Sequence, residues 1–324
     1  MYTQPELKDL IEKALLSLSV DDEAEKLTAP VRYILSVGGK RLRPVITLMS
    51  CNLFSDKVDE ALLPAAGLEV FHNFTLVHDD IMDNASVRRN LPTVHAKWGI
   101  SQAILSGDVM AFIANECILQ TPAHALLKVF HTYNKAAIQV CIGQQLDMDF
   151  EKLAVISQDE YLRMIELKTS VLLAASARIG AIIGYASEKD CDLLYEFGKN
   201  LGLAFQIQDD LLDVYGDINV FGKKSGGDIV TNKKTFLLVK ALETATGATL
   251  KKLQETMSAR DFDPSEKIRS VVEIYDQLNI KSITEGLAEY YIASAVSGLE
   301  KVNAAKERKN ELFQLANSLS GRNK

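Results

Sequence analysis

The sequence predicts an all-α protein: a large helical bundle with a deep interior. Three observations point there. No proline occurs between Pro122 and Pro264. That span is dominated by Ala, Leu, Ile, Lys, Glu and Gln, which are strong helix formers or apolar helix residues. Apolar/polar alternation over more than four residues, the signature of a half-buried strand, is nearly absent.

In chain order, helices are expected at 3–18 and 21–36, then at 42–54 behind a pair of glycines. The segment 59–83 reads as an apolar helix ending in carboxylates, and 93–118 follows it. The proline-free region divides into 122–150, 158–184, 189–214 and 233–257, the third again closing on carboxylates. Helices at 265–279 and 281–317 complete the chain. Several exceed 20 residues, a length suited to a large bundle. No Gly-, Ser- or Pro-rich linker interrupts the sequence, so residues 1–324 are expected to form a single all-helical domain.

Composition narrows the function. With 36 basic against 43 acidic residues the net charge is −7, which disfavours nucleic acid as a partner. The four cysteines, Cys51, Cys117, Cys141 and Cys191, are scattered without a CxxC pair, so no zinc site or disulfide framework is signalled. Buried thiols in a reducing compartment are expected. The longest apolar run, Val171 to Ala186, falls short of the roughly 20 residues of a membrane span and is interrupted by Arg178. Glu6, Lys8, Asp9 and Glu12 rule out an apolar signal-peptide core at the start of this sequence. A cytoplasmic protein with no transmembrane segment is the expectation.

Two aspartate clusters carry the chemistry. Leu76-Val77-His78-Asp79-Asp80-Ile81-Met82-Asp83 and Phe205-Gln206-Ile207-Gln208-Asp209-Asp210-Leu211-Leu212-Asp213 share one spacing. Residues i and i+4 lie on one face of a helix, which pairs Asp79 with Asp83 and Asp209 with Asp213. A single such cluster reads equally well as a solvated helix end. Two, each on an apolar helix, would repel strongly on facing helices without a cation, and hard carboxylate oxygens with no His or Cys among them suit Mg²⁺.

Cationic motifs stand beside them. Gly38-Gly39-Lys40-Arg41-Leu42-Arg43-Pro44 places glycines and cations ahead of a helix, an arrangement suited to an anion. Arg88-Arg89 follows the first cluster, Lys168-Thr169 lies on a long helix, and Gly222-Lys223, Gly226-Gly227-Asp228 and Asn232-Lys233 follow the second cluster. Any one of them could be a solvated face. Together with two DDxxD clusters they fit a polyanion held partly through metal and partly by direct cations.

These motifs, in this order, closely resemble those of the trans-isoprenyl diphosphate synthases, or polyprenyl synthetases, from about Val31 to Lys240. The resemblance implies an isoprenoid-synthase bundle around a deep central cavity, a homodimer, and head-to-tail 1′-4 condensation of isopentenyl diphosphate with an allylic diphosphate of C5–C15. By that analogy Lys40, Arg43, His72 and Arg89 bind isopentenyl diphosphate, and Arg88, Lys168, Thr169, Gln206, Lys223 and Lys233 grip the allylic diphosphate. Asp79, Asp83 and Asp209 are the implied direct Mg²⁺ ligands, three ions accompanying bound diphosphate, with Asp80, Asp210 and Asp213 supporting them. Asn90 stands where the family usually has Gly, which predicts a stiffer loop. Phe236-Leu237 follows Thr235 where many bacterial members have Leu-Pro. The segment Gly143-Gln144-Gln145-Leu146-Asp147 resembles one near the family's active site, or is ordinary polarity on a helix.

Chain length is read from the residues before Asp79. Phe74 and Phe71 lie about 7.5 Å and about 12 Å back along the helix axis, and the resemblance makes an aromatic five residues upstream part of the floor that goes with C15–C20 products. On an ideal helix Thr75 lies about 40° from Asp79 and Phe74 about 140°. Phe74 therefore buttresses the floor from the side or is simply core. His78 reads as a support for the cluster or a core histidine.

Three alternatives differ from this reading in specific residues. A longer-chain synthase keeps the chemistry and loses the floor. A terpene cyclase has a second metal motif of Asn/Ser/Glu type and no use for the Gly-Gly-Lys-Arg-Leu-Arg-Pro site. A non-catalytic subunit of a heteromeric synthase typically lacks an aspartate cluster, and both are intact.

Overall fold

The computed structural model describes residues 2–18, 24–216, 226–259 and 261–320. Among these the chain is helical apart from one two-stranded hairpin. It divides into two compact units, each built from separate stretches of sequence.

The first unit takes in residues 1–135, 175–195 and 302–312. Helix α1 (Gln4–Ser17) starts on a capping box: the Thr3 N–H and hydroxyl both donate to Glu6 Oε2 at 2.8 Å. It buries Leu7, Ile11, Ala14 and Leu15, spaced for one helical face. Helices α2 (Glu25–Ser36) and α3 (Leu42–Asn52) follow, then a 3₁₀ turn (Val58–Ala61). Helix α4 (Leu62–Met82) contacts α1, α2 and α3 and packs along most of α6 (Ile100–Leu119). Between them stand the hairpin strands β1 (Val87–Arg88) and β2 (Leu91–Pro92) and the short helix α5 (Val94–Trp98). The helix expected at 93–118 is broken because Gly99 adopts a left-handed φ of 88° and caps α5, its N–H donating to the His95 carbonyl.

By length and composition α6 is apolar enough to cross a membrane, a candidate that the reading centred on Val171–Ala186 passed over. It carries Asp108 and Glu116, and buries Ala103, Ser106, Gly107, Met110, Ala114, Cys117 and Ile118.

The second unit takes in residues 136–174, 196–301 and 313–324. Helix α7 (Leu126–Glu151) enters it at residue 136. Helix α8 (Gln158–Ile165) opens on a Ser157–Glu160 capping box. The expected helix 158–184 continues, but through a π-helical turn at Glu166–Ser170 that joins α8 to α9 (Val171–Ile183). Helix α10 (Glu188–Tyr215) belongs to this unit from residue 196.

The short helix α11 (Gly227–Val230) leads to α12 (Phe236–Thr244) and α13 (Gly247–Ser258), which divide the expected 233–257. The break follows from extended Ala245 and Thr246 and a left-handed Gly247. Helix α14 (Pro264–Gln277) begins as its sequence predicts, with Asp263 accepting from Glu266 N at 2.9 Å and Pro264 in the first turn. Helices α15 (Ile280–Glu300) and α16 (Lys306–Ser320) replace the single helix 281–317. The apolar core of this unit gathers Leu211, Val214, Leu237, Val271 and Tyr275 on one side, and Tyr161, Met164, Ile207, Phe236 and Val239 on the other.

Candidate active site

In the first unit the last turn of α4 carries Asp79 and Asp80, and Asp83 caps it, its N–H donating to the Asp79 carbonyl at 2.8 Å. Asp80 is buried, 1% exposed, and would be costly there alone. Arg88 satisfies it: Nε lies 2.9 and 3.0 Å from the two carboxylate oxygens, and Nη2 lies 2.7 Å from Oδ1. The hairpin makes this possible. Arg89 and Asn90, both at positive φ (51° and 62°), form the two-residue turn between β1 and β2, a conformation that asparagine tolerates well. The departure from glycine at residue 90 is thus absorbed by the turn.

Arg89 Nη1 donates to the Gly38 carbonyl, drawing the hairpin to the glycine loop. Around that loop the cations converge. His72 is held neutral well below its usual range, by burial first and then by Arg43, Arg89, Arg88 and Arg41. Burial and Arg89 bring Arg43 down to about 10, against the opposing pull of Glu69. Arg43 Nε is a buried donor with no hydrogen-bond acceptor. Crowded cations and an orphaned donor describe a place made for an anion.

The residues assigned to chain length form an aromatic cluster. The Phe71 ring is 5.4 Å from Phe74 and 5.6 Å, edge-on, from Tyr133 on α7, while Phe74 meets the His78 ring at 4.8 Å. His78 Nε2 lies 3.2 Å from the Ile104 carbonyl, packed over Gly107, where a Cβ would stand 2.3 Å from the imidazole. His78 is therefore a packing partner of Phe74. Thr75 turns its hydroxyl back to the His72 carbonyl at 2.8 Å.

In the second unit Asp210 on α10 is buried and accepts three hydrogen bonds, from Tyr161 Oη (2.5 Å), Gln206 Nε2 (3.0 Å) and Phe236 N (3.0 Å). Burial raises its pKa in spite of these donors and of Lys233. Gln206 also accepts from the Thr169 hydroxyl at 3.1 Å. Lys168 Nζ is 2.5 Å from Asp147 Oδ2, and its backbone is crossed at close range by Gly143 of α7. Lys168 and Thr169 both lie in the π turn, and such turns are frequent at functional sites.

Asp213 Oδ2 accepts from the Asp228 N–H at 2.9 Å. The Asp228 carboxyl is pushed up to about 7, by burial first and then by the negative charge of Asp213, Asp210 and Asp147, with Lys233 opposing. Lys233 Nζ stands 3.9 Å from Asp228 Oδ1. Lys267, almost fully buried, donates to Asn232 Oδ1 at 2.6 Å and lies over the Phe262 ring, steadying the loop that carries Lys233. Lys223 lies outside the described residues.

Sequence reasoning singled out neither Asp228, Tyr161, Glu69 nor Lys267 as site residues, and it left Asp147 between two readings. Asp147, four residues after Gly143, and Asp228, after Gly226-Gly227, had detectable signals. The others show only once the chain is folded.

The sequence matches the polyprenyl synthetase family over residues 24–275. It is similar to a geranylgeranyl diphosphate synthase of Sulfolobus acidocaldarius, 37% identical over 292 residues that cover 89% of this chain and 88% of that protein. It is also similar to a short chain isoprenyl diphosphate synthase of Methanocaldococcus jannaschii, 41% identical over 78% of this chain and 77% of the other. Among solved structures, a geranylgeranyl pyrophosphate synthetase from Pyrococcus horikoshii superposes with a TM-score of 0.92 at 31% identity, covering 98% of both chains.

Proposed function

Because the chain belongs to the polyprenyl synthetase family, we propose that it is a trans-prenyltransferase that joins isopentenyl diphosphate head-to-tail to an allylic diphosphate, giving a C15–C20 all-trans prenyl diphosphate. Residues 1–324 act as one catalytic domain in this reading. The observation that carries it is the cation-crowded cradle around neutral His72, with its orphaned Arg43 donor, in the same unit as the aspartate cluster.

Lys40, Arg43, His72 and Arg89 hold the diphosphate of isopentenyl diphosphate. Lys168, Thr169, Gln206 and Lys233, with Arg88 and Lys223, hold the allylic diphosphate. Asp79, Asp83 and Asp209 are the proposed Mg²⁺ ligands, with Asp80, Asp210 and Asp213 behind them. The donor set fits that ion in kind: the oxygens are hard, and because no group of three or more metal-ligating side chains is assembled among the described residues, the substrate's phosphate oxygens would complete the shell, as Mg²⁺ prefers. When bound, Mg²⁺ neutralises charge developing on the departing diphosphate.

Breaking the allylic C–O bond leaves a carbocation and an anion. Lys168 and Lys233 lower that barrier by donating to oxygens whose charge is growing. The isopentenyl alkene, held at its own diphosphate by the Arg43 cradle, attacks the cation. A proton then leaves the adduct for the released diphosphate, so no side-chain nucleophile is needed. Phe71, Phe74 and Thr75 limit the growing tail, and apolar surroundings keep water from quenching the cation.

A homodimer is supported by the exposed apolar side chains of α6, Ile100, Ile104, Leu105, Phe112 and Leu119, with Phe112 69% exposed. Cys51, Cys117 and Cys191 are buried thiols as expected while Cys141 is exposed, and none forms a disulfide, which suits a reducing, cytoplasmic setting.

The test is incubation of the purified chain with Mg²⁺, labelled isopentenyl diphosphate and, separately, C5, C10 and C15 primers, followed by sizing of the dephosphorylated products. C15 or C20 alcohols are expected. Products of C30 or longer would make it a longer-chain synthase. Binding of isopentenyl diphosphate without elongation would make it a non-catalytic subunit.

A further inference from the structure

Between Lys40 and Arg43 the same loop holds an arginine that serves the protein interior instead. Arg41 has a left-handed backbone (φ 50°, ψ 35°) at the start of α3, a conformation disfavoured for a non-glycine residue. Its side chain is among the largest fully buried in the described residues. Nε donates to Glu12 Oε1 at 2.9 Å, Nη1 to Glu69 Oε1 at 2.9 Å, and Nη2 to the Leu35 carbonyl at 2.6 Å and Glu12 Oε2 at 3.3 Å. Glu69, 2% exposed on α4, is held by the Asn73 amide and sits three residues before His72.

A buried ion pair is a poor source of stability when apolar packing could replace it, and left-handed non-glycine residues persist where the surroundings fix them for a purpose. The guanidinium ties the loop to α1 through Glu12 and to α4 through Glu69, and Arg43, two residues further on, carries the orphaned Nε of the anion cradle. Glu69 has a second effect: its charge favours the cationic forms of Arg43 and Arg89, against burial and the neighbouring arginines.

We propose that Arg41, Glu69 and Glu12 are positioning residues for the donor subsite: buried Arg41 and Glu69, joined to half-exposed Glu12, hold the cation cradle in its binding geometry before the five-carbon diphosphate arrives. The inference rests on the assignment of that cradle to isopentenyl diphosphate.

The experiment compares Arg41→Met, Glu12→Gln and Arg43→Ala by steady-state kinetics in both substrates and by calorimetric titration of isopentenyl diphosphate without allylic substrate. Arg41→Met should raise the KM and Kd for isopentenyl diphosphate about tenfold, which is about 1.4 kcal/mol of binding, with the allylic KM within about twofold. Glu12→Gln takes the charge and one of two acceptor oxygens from a single partner of the guanidinium and should move the same constants in the same direction by less. It decides the question if Arg41→Met does not fold. Equal changes in both KM values, or none, in the folded variants would overturn the positioning role. If Arg43→Ala itself leaves isopentenyl diphosphate binding unchanged, the subsite assignment fails and the proposal with it. A loss in Arg43→Ala with none in Arg41→Met or Glu12→Gln rejects the triad alone.

Discussion

Gly143 offers a quantitative test of how Lys168 is held. A Cβ built on it would stand 2.2 Å from Lys168 N and 2.6 Å from both Lys168 Cα and Leu167 C, where ordinary contact begins at 3.4 Å. All three atoms are backbone, so no rotamer change relieves the clash. In Gly143→Ala, α7 and the π turn must separate locally by more than an ångström. Overpacking of this kind costs about 1–3 kcal/mol, and an ångström of misplacement at a substrate-positioning group can cost on the order of 100-fold in rate.

The expected result is a lower Tm together with a fall in kcat/KM toward the allylic substrate of about two orders of magnitude. Calorimetric binding of isopentenyl diphosphate, assigned to residues of the other unit, should be retained. Gly286→Ala on α15 is the control, because nothing lies within 4 Å of its Cβ position. It should stabilise by about 0.5–1 kcal/mol through helix propensity alone and leave turnover intact. Wild-type kcat/KM and Tm in Gly143→Ala would refute the claim that this glycine sets the position of Lys168.

Other outcomes follow from the same geometry. Arg88→Met strands the buried Asp80 carboxylate and should destabilise by about 3 kcal/mol, read as a fall in the urea midpoint; an unchanged midpoint would mean that the pair contributes nothing. Phe74→Ala and Phe71→Ala open the aromatic cluster and should each lengthen the product, as chromatography of the prenyl alcohols would show. Unchanged lengths in both would make the two rings ordinary core. For His72, whose folded-state pKa is depressed, stability is fully present above the unfolded value near 6.5 and is lost as pH falls below it, since the unfolded chain takes up the proton first. His72→Gln should therefore flatten the decline in Tm between pH 7 and 5, and a slope as steep as wild type would contradict the burial of a neutral imidazole.

Much of this was legible in the chain. Both aspartate clusters lie at the ends of their helices, as expected, although Asp83 stands at the C-cap of α4 and not within the helix that carries Asp79. Helix interiors were read correctly where apolar residues repeat. Helix ends were misread at Gly99 and Gly247, because a single left-handed residue can break a helix whose neighbours all favour it. The hairpin at 87–92 escaped notice since two-residue strands carry no periodicity, and its turn uses Arg89 in place of the usual glycine signal. Tyr161 and Glu69 were invisible for a different reason. A tyrosine or glutamate on an amphipathic helix acquires a role only from the partner that folding brings to it, Asp210 in one case and Arg41 in the other.

The π turn at Glu166–Ser170 has a consequence for how such a site can change over generations. A π turn carries one residue more than the α turn it replaces. Deleting one residue at 166 or 167 would let the helix close regularly and change both the rise and the angle at which Lys168 leaves the axis, altering its present contact with Asp147. Substitutions here act by degrees, but insertion or loss of a single codon acts as a switch between two registers. A lineage that lost the extra residue would keep its helix and its fold and alter the Lys168–Asp147 contact in one step.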